Sequence, residues 1–277
     1  MMIQDIEPHK FHNEYCPASK PNPGDPVFVF DGNKCLAKID GGELILPDVS
    51  QLGSGDYTYL FRVDETEFYK AAPPVVKAPE GFEFMTVASI RSMGAGPRAM
   101  IFAMYTAYHL DKWYKDSHYC GRCGNVTNNS ETERARVCPV CGNVIYPRIN
   151  PAVIVGILNG DKILVTKYAN RPHVPYFALV AGFTEIGETL EGTVQREVYE
   201  EVGLKVKNIK YYKSQPWGTA ADMLVGFYCE VDGDDTIRMD AGELKIAKWA
   251  TADEIELQPD DFSLTNEMMM NFKEGRI

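Results

Sequence analysis

The sequence predicts an α+β protein in three parts. These are an N-terminal α+β domain over residues 1–98, a linking helix with a four-cysteine segment over 99–147, and a mixed sheet with helices over 148–277. Three observations predict it. Short β-like runs broken by Gly, Pro and Asp fill the first part. Two Cys-x-x-Cys pairs lie close together in the middle. After residue 148, apolar strand-like runs alternate with helical segments.

Taken in order, "PVFVF" and "YTYLFRV" read as strands of the first domain, and "KAAPPVVKAPEGFE" punctuates it, because a Pro cluster cannot continue a helix. From "GPRAMIFAMYTAYHLDKWYK" the period changes. Ile101, Met104, Tyr105, Tyr108 and Trp113 approximate a helical stripe, so a helix is expected from 99 to 115, with the stripe packed as core against the neighbouring domain. Beyond the cysteines, "AVIVGIL", "KILVTKYA" and "FALVAGF" read as strands, and a helix is expected over 189–202. Strands "VKNIKYYKSQP", "MLVGFYCEV" and "KIAKWAT" follow, and a last helix is expected to begin near Ser263.

Composition narrows the function classes. With 277 residues, 45% of them hydrophobic, the chain can bury more than one core. A formal net charge of −11 argues against broad, nonspecific nucleic-acid binding. The opening "MMIQDIEPHK" has no basic region followed by an apolar run, so no signal peptide is expected. No run approaches roughly eighteen apolar residues, so no membrane span is expected, and the expected location is cytoplasmic. An odd count of seven cysteines speaks against a disulfide framework. Cys229, in "LVGFYCEV", reads as a buried strand residue, while Cys16 and Cys35 carry no readable role.

The other four cysteines form the spacing Cys120-x2-Cys123-x14-Cys138-x2-Cys141. Four thiolates on two tight turns suit tetrahedral Zn²⁺, and Gly124 and Gly142 follow each pair where such turns need them. With four protein ligands no coordination position stays open, so one structural zinc per chain is expected. Redox use of a Cys-x-x-Cys pair would need a thioredoxin-like context that is missing here.

"REVYEEVG" (196–203) poses a different question. Glu197, Glu200 and Glu201 stand at i, i+3 and i+4 and share a helix face within about 100°. Like charges so placed repel by about 0.2–0.5 kcal/mol per pair, near the helix end where the dipole is negative. Three carboxylates on one face offer hard oxygen ligands to Mg²⁺ or Mn²⁺, whereas the bland reading is a solvated acidic face. Thr189 can cap the helix start, Gly203 can end it, and Arg196 can grip a carboxylate as a bidentate fork.

Residues 182–204, "GFTEIGETLEGTVQREVYEEVGL", fit G-x5-E-x7-R-E-U-x-E-E-x-G-U (U apolar) at every fixed position. This resembles the Nudix box. The resemblance implies a C-terminal Nudix α/β/α sandwich with a mixed sheet, and metal-dependent hydrolysis of a diphosphate linked to a nucleoside. Glu197 and Glu201 then match metal ligands, Glu200 a ligand or the base, and Arg196 a further catalytic-site position. The carbonyl of Ala181 matches a further metal ligand, as does Glu243 in "DAGELKIAKW". The order of ribbon, "YPRINPAVIV", box and "SQPW" is similar to the NADH pyrophosphatase (NudC-type) family, from about residue 85 to the end. By that resemblance Glu133, Tyr146, Phe183, Gln215, Pro216, Trp217, Asp222 and Thr265 match substrate-binding positions. Aromatic rings at Tyr146 and Phe183 could stack on a base, although by themselves they read as core aromatics.

The family hallmark SQPWPFPxS departs here to "SQPWGTAADM". Two prolines and an aromatic are replaced, so a less rigid loop is expected, with the anion Asp222 beside a phosphate site. Thr265 stands where the family usually has Ala. The resemblance therefore implies hydrolysis of NADH or NAD⁺ to nicotinamide mononucleotide and AMP by a homodimer. The same bond occurs in NAD-capped RNA, so cap removal is a related activity. The departed loop motivates an alternative substrate: ADP-ribose, diadenosine polyphosphates or another nucleoside diphosphate derivative. A non-catalytic zinc-ribbon nucleic-acid-binding or regulatory protein is the third reading, and the intact glutamates argue against it.

Overall fold

Strand β1 (Asn150–Asn159) is one continuous apolar run, as a strand buried on both faces should be. In the computed structural model, which describes residues 2–71, 77–169 and 175–277, it is the centre of a six-stranded mixed sheet. The other strands are β2 (Lys162–Tyr168), β3 (Val180–Phe183), β4 (Val206–Trp217), β5 (Asp222–Val231) and β6 (Leu244–Thr251). The order is β4-β5-β1-β2-β6, with β3 paired to β1 over Ala152–Val155. Among the described residues of this sheet only β1 and β5 run parallel, from Asn150 opposite Asp222 to Leu158 opposite Glu230.

The side-chain alternation of β1 divides the core in two. Val153, Val155 and Ile157 pack with Val194, Val198 and Val202 of a helix over Leu190–Val202. Ile154 joins the other face, with Leu264, Met268 and Met269 of a helix over Leu264–Lys273. Gly156 belongs to that second face, where a Cβ would stand 2.6 Å from the Tyr228 ring. Helix, sheet and helix thus form the expected three-layer sandwich. Cys229 is buried in the first layer, as its strand context implied.

Residues 3–148, together with 218–221, form a second compact unit. One of its sheets pairs Phe11–His12, Tyr57–Val63, Thr66–Ala71 and Val27–Phe28, and another contains Phe30–Asp31, Lys34–Asp40, Glu43–Ile45 and Glu83–Thr86. Residues 72–76 of the Pro-rich punctuation lie outside the described residues. The linking helix, α1, covers Arg98–Asp116 and buries Ile101, Met104, Tyr105 and Trp113 of the expected stripe, while Tyr108 stays partly exposed. Asp111 interrupts that apolar face and is nonetheless buried. Its carboxylate receives Lys70 at 2.7 Å and Lys115 at 2.6 Å, the pairing a buried charge requires. Among the described residues no helix is long and apolar enough to cross a membrane.

The two C-terminal helices, α2 (Leu190–Val202) and α3 (Leu264–Lys273), begin where polar caps stand. The Thr189 hydroxyl accepts from Gly192 N–H and the Ser263 hydroxyl from Asn266 N–H. Gly203 ends α2 with φ +70°, the left-handed conformation anticipated from its position.

Candidate active site

The ribbon is built from two matching knuckles. Gly124 N–H donates to Cys120 carbonyl at 2.8 Å and Gly142 N–H to Cys138 carbonyl at 3.0 Å. Both glycines have positive φ, +75° and +69°, which only Gly adopts without strain. The four Sγ atoms lie within 4.8 Å of one another. A tetrahedral zinc with bonds of about 2.3 Å needs sulfur separations of about 3.8 Å, so the residues fit the ion. Three two-residue strands complete the ribbon, with Arg136–Val137 between Asn128–Asn129 and Val144–Ile145.

The carboxylates lie where β3, the following loop and α2 meet. Arg196 organises them. Its Nε and Nη2 donate to the two Glu188 oxygens at 2.6 and 2.9 Å, the bidentate fork expected of it. Nη1 donates to Glu197 at 2.7 Å and Glu200 at 2.9 Å, and Nη2 to the Phe183 carbonyl at 2.9 Å. The Arg196 bonds, with help from Glu185 N–H, hold the Glu188 carboxyl down at about 2. Arg196 is raised in turn, chiefly by Glu188.

Glu197 and Glu201 are different. Burial raises the Glu197 pKa against the pull of Arg196. Burial, then the like charges of Glu197 and Glu243, pushes Glu201 up to about 8. Glu201 is only 2% exposed, and its Oε2 has no hydrogen-bond partner. An orphaned buried carboxylate oxygen among further carboxylates is costly without a cation, so the donor set fits a divalent ion. The Ala181 N–H donates to the Glu201 carboxylate, which places this backbone beside it. Gly182 completes the cradle. A Cβ there would fall 1.9 Å from the Glu197 carboxyl carbon, so only glycine lets that carboxylate lie on the strand. Because the obstacle is a flexible side-chain end, Gly182→Ala is expected to fold normally while displacing Glu197. Its half-saturating Mn²⁺ concentration should rise about 10–100-fold, measured by titrating activity with metal.

Other substrate-binding candidates are distributed as follows. Tyr146 donates to Glu133 at 3.1 Å, and both are exposed members of the N-terminal unit. Phe183 is exposed at the end of β3, Thr265 is partly exposed in the first turn of α3, and Trp217 and Asp222 face each other across the β4–β5 pair. Pro216 is exposed on β4, opposite Met223. Gln215 is fully buried. Its amide nitrogen donates to the Phe262 carbonyl and its oxygen accepts from Leu264 N–H, each at 2.7 Å, so it fastens β4 to the start of α3. Removing this clamp in Gln215→Ala strands backbone groups and should destabilise the fold by about 1–3 kcal/mol, read as a lowered urea midpoint at unchanged m.

The departed hallmark has a structural counterpart. Residues 218–221 group with the N-terminal unit, and a Cβ at Gly218 would stand 2.1 Å from the Tyr105 carbonyl oxygen on α1. The position at which the hallmark carries Pro therefore accepts no side chain here. Asp240 was missed by the sequence reading. It adds to the charges that raise Glu201, and the "DAGE" turn in which it stands was the available signal.

A strand, loop and helix that gather carboxylates beside a mixed sheet are the Nudix arrangement, and the NUDIX domain family matches residues 148–271. The NADH pyrophosphatase zinc ribbon domain matches residues 115–146. Three proteins named NAD-capped RNA hydrolase NudC are similar to this chain. That of Deinococcus radiodurans is 32% identical over 237 residues, 82% of this chain and 83% of that protein. That of Chromobacterium violaceum is 37% identical over 177 residues, covering 63% of this chain and 65% of the relative. That of Escherichia coli is 41% identical over 153 residues, covering 54% and 58%. The matched segment spans less than two thirds of the Chromobacterium and Escherichia proteins. The chain belongs to the NudC-type family of Nudix hydrolases.

Proposed function

We propose that this protein hydrolyses the diphosphate of NADH or NAD⁺, releasing nicotinamide mononucleotide and AMP, and acts likewise on NAD-capped RNA. The observation that carries the reading is the buried Glu201 carboxyl with an unpartnered oxygen, set beside Glu197, Glu243 and the Ala181 backbone. Mg²⁺ or Mn²⁺ held there would neutralise the diphosphate, polarise phosphorus and acidify an attacking water. Glu197 and Glu201, both largely withdrawn from solvent, are assigned as cation ligands with Glu243. Glu200, whose side chain is 58% exposed, is assigned to accept the proton of the water. Arg196 and Glu188 hold Glu197 and Glu200 in place. Attack at one phosphorus breaks the P–O–P bridge, and the bridging oxygen leaves with the other phosphate. Glu133, Tyr146, Phe183, Trp217 and Thr265 are assigned to substrate, and Gln215 to holding the segment that carries Thr265.

The test incubates pure protein with NADH and Mg²⁺ or Mn²⁺ and separates the products. Reduced nicotinamide mononucleotide and AMP are expected. Intact NADH alongside turnover of ADP-ribose, a diadenosine polyphosphate or another nucleoside diphosphate derivative would replace this reading with one of shifted specificity. The tight seat of Gly218 against Tyr105, in a loop that has lost its prolines, favours that second reading. Relative kcat/KM separates free dinucleotide from NAD-capped RNA. A homodimer in the cytoplasm is part of the proposal, and a monomeric mass in solution would remove the first half of it.

A further inference from the structure

The segment that carries Glu243 is fixed to the end of the helix that carries the other glutamates. The last carbonyls of a helix have no partners within it. In α2 two of them are taken by this distant segment: Arg238 N–H donates to the Val202 carbonyl at 2.8 Å and Asp240 N–H to the Glu201 carbonyl at 2.9 Å. Gly203 allows the approach, since a Cβ there would meet Arg238 Cβ at 2.8 Å. The chain then turns. Leu244 N–H returns to the Asp240 carbonyl at 2.9 Å, and the Asp240 side chain closes the turn by accepting Gly242 N–H at 2.7 Å. This is an Asx turn, with a carboxylate oxygen standing in for a backbone acceptor. Beyond it Glu243 is tied through its carbonyl to Ala169 N–H at 2.8 Å. Its charge reaches both Glu197 and Glu201.

We propose that Asp240 is a positioning residue whose side-chain oxygen locks the 240–243 turn and thereby delivers Glu243 to the divalent-cation site. The role rests on the metal-dependent hydrolysis proposed above. It requires a hydrogen-bond acceptor at position 240, whereas a purely electrostatic contribution to cation binding would require the negative charge. Asn keeps the acceptor and drops the charge; Ala drops both.

The test titrates Mn²⁺ into full-length protein that retains its ribbon zinc and has been stripped of other cations, and follows free Mn²⁺ by electron paramagnetic resonance, without substrate. Asp240→Ala is expected to weaken Mn²⁺ binding about tenfold or more, and Asp240→Asn to stay within about threefold of wild type. Glu243→Gln should weaken binding as well, and adding Asp240→Ala to it should cause little further loss, because both act through one carboxylate. If Asp240→Ala does not fold, Gly242→Ala attacks the same bond from its other partner, placing a Cβ 3.1 Å from the Asp240 Oδ1, and should weaken binding in the same direction. Wild-type affinity in Asp240→Ala, an Asn variant as weak as Ala, or additive losses in the double variant would each overturn the role. A wild-type protein that binds Mn²⁺ while the variants match it refutes only this inference. A wild-type protein that binds none refutes the hydrolytic reading with it.

Discussion

Glu201→Gln is expected to lower kcat by about 10²–10³-fold, the scale for removing one group that stabilises charge in a transition state. The same substitution should alter the pH dependence of metal-free stability in a defined direction. The unfolded chain gives up the Glu201 proton near its ordinary value of 4.5, whereas the native chain keeps it to about 8. Between those values the native state binds the extra proton, so metal-free stability falls as pH rises from 4.5 to 8. The full span corresponds to a loss on the order of 5 kcal/mol from this one group. Gln carries no titratable proton, so the melting temperature of metal-free Glu201→Gln should decline less across that window than that of wild type. Glu188 acts in a separate range, because its depressed pKa supports stability above 4.5 that is lost as pH falls towards 2. A ligating carboxylate must be ionised, so cation uptake by wild type at pH 6–7 should release roughly one proton more than uptake by the variant. Calorimetry in buffers of different ionisation enthalpy measures that difference. Equal pH profiles for the two proteins would remove Glu201 as the buried acid.

Removal of zinc is expected to unfold the ribbon. Its strands are two residues long, and Val126, Val140 and Val144 stay exposed, so little apolar burial supports residues 118–145. Binding of zinc to such a site supplies about 10–16 kcal/mol in isolated zinc-finger peptides, more than a ribbon of this size gains from packing. Chelation, or Cys138→Ser, should therefore abolish hydrogen-exchange protection at the amides of Gly124, Cys138 and Gly142, which close the two knuckles. The α2–β1 core, with Val153, Val155, Val194 and Val198 fully buried, should keep its protection. Native mass spectrometry of untreated protein should find one zinc per chain. Retained knuckle protection after complete zinc removal would show that packing, not metal, holds the ribbon.

Much of the fold and the reaction class was legible in linear order because local chemistry specifies them. Thr189 and Gly203 delimit α2 through interactions a few residues long, and the apolar run "AVIVGIL" already marked a strand, although its division between two core layers came from the fold. The Cys-x-x-Cys spacing carried the zinc site because each knuckle is a single turn. The three glutamates of "REVYEEVG" shared a face by helical geometry alone. Their repulsion became intelligible once Arg196 was seen to compensate Glu197 and Glu200 while Glu201 lay buried. Tertiary structure decided the rest. Gln215 stands beside Pro216 and Trp217 in the sequence, but its amide is committed to Phe262 and Leu264, some fifty residues further along. Gly218 looked like relaxed loop chemistry until the Tyr105 carbonyl appeared where its Cβ would be. Asp240 by itself carries no signal in the sequence, and its role follows from a turn fixed to the end of α2. The division follows from range: caps, knuckles and helix faces are set by neighbours in sequence, whereas desolvation and close approach depend on which distant residues the fold brings together.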